Sequence, residues 1–188
     1  EAKANITSNN IEAAANADVI FLGVKPQILT SVLTELRDAK IDFSNKLVIS
    51  MAAGFKLSSI KKYLNSDKII RIMPNTPAKI GLGVIAVSYG NNVDDQERQL
   101  CRELLANLGK CFEGDEQNLN VIGAICGCGP AFVYRFMEAL CAEGCRHGLD
   151  ANAVREMVEL TLLGSANMSK NNPEISLQSL REAVTSKG

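Results

Sequence analysis

The sequence has no excess of either charge. Its 188 residues carry 20 Lys plus Arg against 21 Asp plus Glu, a formal net charge of -1. No basic field is present to grip a phosphate backbone, which argues against duplex nucleic acid as a partner. It has one histidine, His147, and no Gly-x-Ser-x-Gly elbow, so a Ser/His/acid hydrolase has nothing to rest on. It has neither a P-loop nor a Gly-x-Gly-x-x-Gly, so no nucleotide fingerprint is directly present. It lacks long hydrophobic runs. Stretches such as Val19 to Val24 fall far short of the ~20 apolar residues a membrane span needs, so no membrane partner is expected. No secretory signal is seen, and the six cysteines sit at helical or loop-like spacings rather than in a small disulfide framework. Reduced thiols and a cytoplasmic location are the expectation. The sequence opens on Glu1 and closes on Lys187-Gly188 without a finishing element, as a fragment would.

What is present is an ordinary globular composition, 46% hydrophobic and 22% charged, which argues against intrinsic disorder. The first half alternates strand-like and helix-like segments. Val19 to Val24 is an apolar run of strand length, broken by Lys25-Pro26. Pro26 suits the first turn of a helix, where its missing N–H costs nothing. Leu29, Val32, Leu33 and Leu36 then recur on one helical face. Leu47 to Ser50 reads as a second strand, Leu57 to Leu64 as a short helix, Lys68 to Ile72 as a third strand and Gly83 to Val87 as a fourth. Continuous apolar strands between helices predict a parallel sheet covered on both faces. A helix follows over 95–108, with Gly109 expected as its C-cap.

No strand pattern survives after about Cys111-Phe112. Val133, Phe136, Met137, Leu140, Cys141 and Gly144 form one helical stripe, Gly148 interrupts it, and Val154, Met157, Val158, Thr161 and Leu162 restart the period. The expected fold is α/β then all-α: a parallel-sheet domain over 1–112 and a helical domain over 113–188.

Four segments could carry chemistry. In open α/β sheets, ligands bind at the carboxyl ends of strands. Two strand ends here are small and bare, Gly23-Val24-Lys25-Pro26 and Met51-Ala52-Ala53-Gly54. Each could admit a flat ring or a phosphate, and each could equally be a tight turn. Met73-Pro74-Asn75-Thr76-Pro77 is the most unusual: two prolines stiffen a loop that offers Asn75 and Thr76 from fixed positions. Cys126-Gly127-Cys128-Gly129-Pro130 opens the long helix and has three readings: small packing residues, an anion-binding turn, or a metal or redox pair. The last would want further ligands nearby, and only His147, Cys141 and Cys145 follow.

Taken together, these segments resemble the pyrroline-5-carboxylate reductase family. The resemblance rests on Ala17 to Pro26, Ser50 to Gly54, Ile70 to Ala78, Cys126 to Phe132 and Leu180 to Ser186, five motifs in the right order over essentially the whole chain. It implies a Rossmann-type NADPH- or NADH-binding domain whose first βα unit, with its glycine-rich phosphate loop, would precede Glu1. It also implies a helical domain that dimerises by interlocking and often builds decamers. After Ser186 such proteins usually continue with a glycine pair and threonines. The implied reaction is hydride transfer from the nicotinamide to the C=N carbon of 1-pyrroline-5-carboxylate, giving L-proline, the last step of proline biosynthesis. A protonated imine accepts hydride readily, so the protein must chiefly hold two flat groups face to face and supply a hydrogen-bond partner.

Carried over by position, the resemblance assigns the cofactor to Asn10, Gly23, Val24, Lys25, Pro26, Met51, Ala52 and Ala53. It assigns the hydride-transfer pocket to Met73, Pro74, Asn75 and Thr76, with Asn75 and Thr76 as the catalytic pair. Glu116, Cys128, Gly129 and Ser186 fall on the substrate side, and no metal is implied. The sequence departs from the family pattern at Cys126 and Cys128, where Ser is common, and at Lys187, where Pro is usual. A thiol is the poorer hydrogen-bond donor. Two rivals stand beside this reading. A β-hydroxyacid dehydrogenase relative would share the layout but usually places a catalytic Lys on the long helix, and residues 131–147 contain none. A non-catalytic nucleotide-binding scaffold is the other.

Overall fold

The computed structural model describes residues 4–186; the departure at Lys187 lies outside the described residues. The chain forms two compact units, residues 1–130 and 131–188. The first opens on a short helix α1 (Asn10–Ala15), N-capped by the Asn9 side chain. Strand β1 (Val19–Leu22), helix α2 (Pro26–Asp38), strand β2 (Leu47–Ser50), helix α3 (Leu57–Leu64) and strand β3 (Ile69–Pro74) come next. These match the expected elements to within two residues at their ends. Pro26 opens α2, whose Leu29, Leu33 and Leu36 are buried at helical spacing.

After β3 the chain passes through a 3-10 turn, Thr76–Ile80, into strand β4 (Gly83–Tyr89). Helix α4 (Asp95–Leu105), opened by an Asp94–Glu97 capping box, leads by a second 3-10 turn to strand β5 (Gly109–Glu113). The five strands pair in the order β1-β2-β3-β4-β5. All neighbours are parallel except β3 and β4, which are antiparallel. The reason is the connection: the turn between them is far too short for the crossover that parallel strands need. Gly109 follows the second 3-10 turn as its C-cap, as expected, but not in the left-handed conformation usual for a cap. It also begins β5 at φ 140° directly opposite Gly83, where a Cβ on Gly109 would run into the Gly83 backbone and one on Gly83 into Ala78 and the Leu108 carbonyl.

Residues alternate between the two faces, as a pleated sheet requires. Val48 and Ile69 pack with α2 and α3, whereas Leu47, Ile49, Ile70, Ile72, Ile85 and Val87 pack with Cys101 and Leu105 of α4. Each fully buried Leu or Ile contributes roughly 1.5–3 kcal/mol. This core holds the strand ends in fixed relation.

Beyond β5 come helix α5 (Asn118–Ile122) and a π-helical turn, Gly123–Gly127. Both pack in the first compact unit, which extends to Pro130. The strand pattern ends at 113, but the helical residues after it still lie on the sheet unit. The turn is also not an open helix N-terminus: it continues α5, and Cys128 N–H already donates to the Gly123 carbonyl at 3.0 Å.

The second unit contains the body of α6 (Gly129–Arg146), α7 (Ala151–Asn171) and α8 (Leu177–Ala183). Gly148, at φ 84°, turns the chain, and Asp150 caps α7 by accepting from Asn152 and Ala153 N–H. Gly144 of α6 lies against Val154 of α7, where a Cβ would sit 2.7 Å from Val154 Cγ1. Among the described residues of this unit only Val154 and Val158 are buried hydrophobics, while Phe132, Phe136, Leu140, Met157, Leu160 and Leu163 are exposed. Because the π turn joins α5 to α6, Asn118–Arg146 is one helical stretch of 29 residues, long and apolar enough by composition to cross a membrane. The sequence did not suggest this, since charged and small residues interrupt every apolar run.

Candidate active site

Strands β1, β2 and β3 are parallel, so their carboxyl ends open at one edge of the sheet. Gly23, Lys25, Met51, Ala53 and Gly54 are exposed there, and Val24 and Pro26 are half-buried. A Cβ on Gly23 would lie 3.0 Å from the Met51 Cε, so glycine lets the Met51 side chain lie across the β1 turn. Met51 N–H ties the two ends together by donating to the Leu22 carbonyl at 3.2 Å. The Ala52 side chain is buried, and its N–H donates to the Ser50 Oγ. It supports the turn from below, and Ala53 presents the open face. The bare backbone over Gly23 and Ala53-Gly54, at strand ends, fits a flat cofactor ring. Asn10 is exposed at the start of α1 and donates to the Glu35 Oε2 at 3.0 Å, so it is held to α2 beside a cavity of about 260 Å³ along the β1 edge.

The third strand end carries the stiff loop. Asn75 is half-buried, and its amide works inward. Its Oδ1 accepts from Val84 N–H at 2.9 Å and its Nδ2 donates to the Cys126 carbonyl at 3.0 Å. Expected as one of a catalytic pair, it is built as a clamp between the loop, β4 and the π turn. Thr76 is exposed, and among the described residues its hydroxyl makes no hydrogen bond. Met73 and Pro74 end β3, with the Met73 sulfur packed against Gly123 so closely that a Cβ there could not fit without displacing it.

Glu116, expected on the substrate side, accepts two hydrogen bonds. Its Oε1 accepts from Leu57 N–H at 2.6 Å and from Arg71 Nη1 at 3.0 Å. It caps α3, whose own N-cap residue Lys56 supplies no side-chain bond, and it neutralises Arg71, which is 3% exposed in mid-strand. A cavity of about 250 Å³ between Gly54, Lys56, Arg71, Glu116 and Asn120 lies over the pair. The sequence signal was there to read: one Arg inside the buried run Ile69–Ile72 demands a buried partner. Which carboxylate answers it was not legible, because the partner lies 45 residues on.

Cys128 is exposed and Gly129 half-buried at the end of the π turn, near the Asn75 clamp in sequence. Ser186 lies beyond α8 in the second unit and is exposed. Among the described residues no three His, Cys, Asp or Glu side chains gather as a metal site. The shifted thiols lie elsewhere, on the α4 side of the sheet. Burial pushes Cys101 up to about 11, helped by Cys111 and Glu113, and raises Cys111 as well.

Two family descriptions match the sequence. "Pyrroline-5-carboxylate reductase dimerisation" covers residues 116–188, and "NADP oxidoreductase coenzyme F420-dependent" covers residues 1–54. A pyrroline-5-carboxylate reductase of Vibrio alginolyticus is 42% identical over 97% of this chain and 67% of its own length. One from Haemophilus influenzae is 36% identical over the same shares. The chain thus spans about two thirds of these relatives. A crystal structure of a Plasmodium falciparum pyrroline carboxylate reductase with NADP bound superposes with a TM-score of 0.90 at 31% identity, covering 100% of this chain and 72% of that one.

Proposed function

This chain belongs to the pyrroline-5-carboxylate reductase family, oxidoreductases acting on a CH–NH group with NAD(P)H, and we propose how its own residues share the reduction of 1-pyrroline-5-carboxylate to L-proline. Bound NAD(P)H supplies the hydride. Gly23, Val24, Lys25 and Pro26 line one side of its site, and Met51 with the Ala52-Ala53 backbone lines the other. Asn10 borders the adenosine side.

Met73 and Pro74 wall the pocket in which the imine lies. The Thr76 hydroxyl accepts a hydrogen bond from the protonated imine nitrogen, which keeps the C=N carbon electrophilic. Asn75 positions that hydroxyl by fixing the loop. Cys128, Gly129 and Ser186 complete the substrate side. The observation that carries this reading is the rigid Pro74-to-Pro77 loop with its one free hydroxyl, at the same sheet edge as the bare Gly23 and Ala53-Gly54 backbone.

The protein is a homo-oligomer. Residues 113–188 form the dimerisation and substrate portion. A helical unit with two buried hydrophobics cannot stand alone, and a second copy covering its apolar face gives it a core. That same copy, rather than lipid, covers the helix through 118–146, which carries the exposed Arg135–Glu138 and Arg146–Glu143 ion pairs. We place the protein in the cytoplasm, away from membranes. Sedimentation separates a dimer from a decamer of five dimers.

The test is absorbance at 340 nm with the full-length protein, NADPH or NADH, and 1-pyrroline-5-carboxylate, with L-proline measured as product. Substrate-dependent oxidation with equimolar proline supports the reading. No turnover by the folded protein with either nucleotide would contradict it.

A further inference from the structure

We propose that Arg71 and Glu116 are a positioning pair for hydride transfer, setting the substrate-side segment 116–129 against the cofactor-side turn 51–56; this rests on the reductase reading. Neither is a catalytic residue, because Arg71 is buried in mid-strand and the Glu116 Oε1 is already taken by two donors.

Three observations carry the inference. The first is the cost of Arg71. It lies between the buried Ile70 and Ile72, and its Nε and Nη2 atoms are buried without a partner among the described residues. Uncharged residues at both positions would serve stability as well or better, since a buried ion pair seldom repays its desolvation. What the pair does supply is a fixed direction for the Glu116 carboxylate.

The second is where that carboxylate lands. Leu57 N–H is the first of α3, directly after the Met51–Gly54 turn, and Lys56 leaves it uncapped. Glu116 therefore ends the cofactor-side turn by a bond spanning 59 residues. The third is the course of the chain after Glu116. Ten residues on, the Cys126 carbonyl is held by Asn75, and between these two anchors Gly123 presses on Met73. The segment leading to Cys128 and Gly129 is thus pinned at one end to the cofactor turn and at the other to the hydride loop. Displacing either anchor changes the spacing of the two.

The experiment uses the full-length protein and the variants Glu116→Gln and Arg71→Met. Glu116→Gln keeps an acceptor for Leu57 N–H but loses the charge pairing, and Arg71→Met keeps strand packing without a buried cation. Steady-state constants are measured with NADPH and with NADPH deuterated at C4, alongside thermal melting. A misplaced hydride donor costs roughly 10- to 100-fold in rate. Both variants are expected to lose that much kcat, to keep each KM within about threefold, and to show a larger deuterium isotope effect on kcat. The Tm of Arg71→Met is expected to fall, because Glu116 is left without its cation, whereas Arg71→Met combined with Glu116→Gln removes both charges and is expected to melt level with wild type, so the lost kcat of the double variant cannot be lost fold. Wild-type kcat and isotope effect in Arg71→Met would overturn the positioning role and leave the reductase reading intact. No turnover by the wild-type protein assayed in parallel would overturn both.

Discussion

Asn75 Nδ2 donates to the Cys126 carbonyl at 3.0 Å while its Oδ1 accepts from Val84 N–H at 2.9 Å. One amide thus joins three segments that the sequence keeps apart. Asn75→Asp keeps the acceptor for Val84 but loses the donor to Cys126. It also sets a half-buried carboxylate oxygen against the Cys126 carbonyl, so its Tm is expected to fall together with its kcat, the latter by roughly 10- to 100-fold. Asn75→Ala loses both bonds, and each part-buried group left unpaired costs about 1–3 kcal/mol. Its Tm should also fall, without the acceptor-against-acceptor contact that Asn75→Asp adds. Melting curves and kcat for the two variants check both expectations.

Ala53 is exposed at the end of β2, where its small side chain leaves the backbone open. Ala53→Phe adds a ring over that surface without touching the core. Dissociation constants from NADPH fluorescence titration should rise at least about tenfold with Tm unchanged, the ~1.4 kcal/mol that one lost contact face represents. Unchanged affinity would remove the Met51–Gly54 turn from the cofactor site.

Gly144 brings α6 and α7 together at Val154, one of the two buried hydrophobics of the helical unit. A side chain there overpacks the crossing, at a cost of roughly 1–3 kcal/mol. Gly144→Leu should therefore weaken the dimer, seen in sedimentation as a raised dissociation constant, and lower activity at low protein concentration.

The thiols give a pH prediction. Burial, with Cys111 and Glu113 nearby, lifts Cys101 from an ordinary 9.0 to about 11. The unfolded thiol loses its proton near pH 9 while the folded one keeps it until about pH 11. Stability present below pH 9 is lost as pH climbs through that window. Burial raises Tyr89 too, and acts in the same direction. Urea midpoints should drop between pH 9 and 11, and Cys101→Ala should drop less. In the folded protein, iodoacetamide should reach the exposed Cys128 and Cys145 well before Cys101.

Most of the fold was legible because its signals are local. Leu47–Ser50 and Leu57–Leu64 fall where apolar runs and helical spacing put them. The antiparallel β4 was hidden, since direction depends on a connection whose 3-10 geometry Thr76–Ile80 does not advertise. Gly109 reads as a helix cap and does end the 3-10 turn, but its place opposite Gly83 could not be read from the sequence. At the site, bare strand ends and the Pro-stiffened loop could be found from composition. The inward roles of Asn75 and Glu116 could not, because an Asn or a Glu in a polar stretch looks the same whether it faces a ligand or bonds a backbone group 9 or 59 residues away. Ala52 and Ala53 differ in burial for the same reason: only the fold decides which of two adjacent alanines faces in.

The central claim is that the Thr76 hydroxyl, held by the Asn75 clamp, serves the reacting imine. Single-turnover stopped-flow at 340 nm, with NADPH-loaded full-length protein mixed with saturating 1-pyrroline-5-carboxylate, tests it most directly in Thr76→Val, which removes the hydroxyl at nearly constant volume. The account predicts hydride transfer slowed by roughly 10²-fold with NADPH affinity and Tm unchanged. A hydride-transfer rate equal to wild type would contradict it.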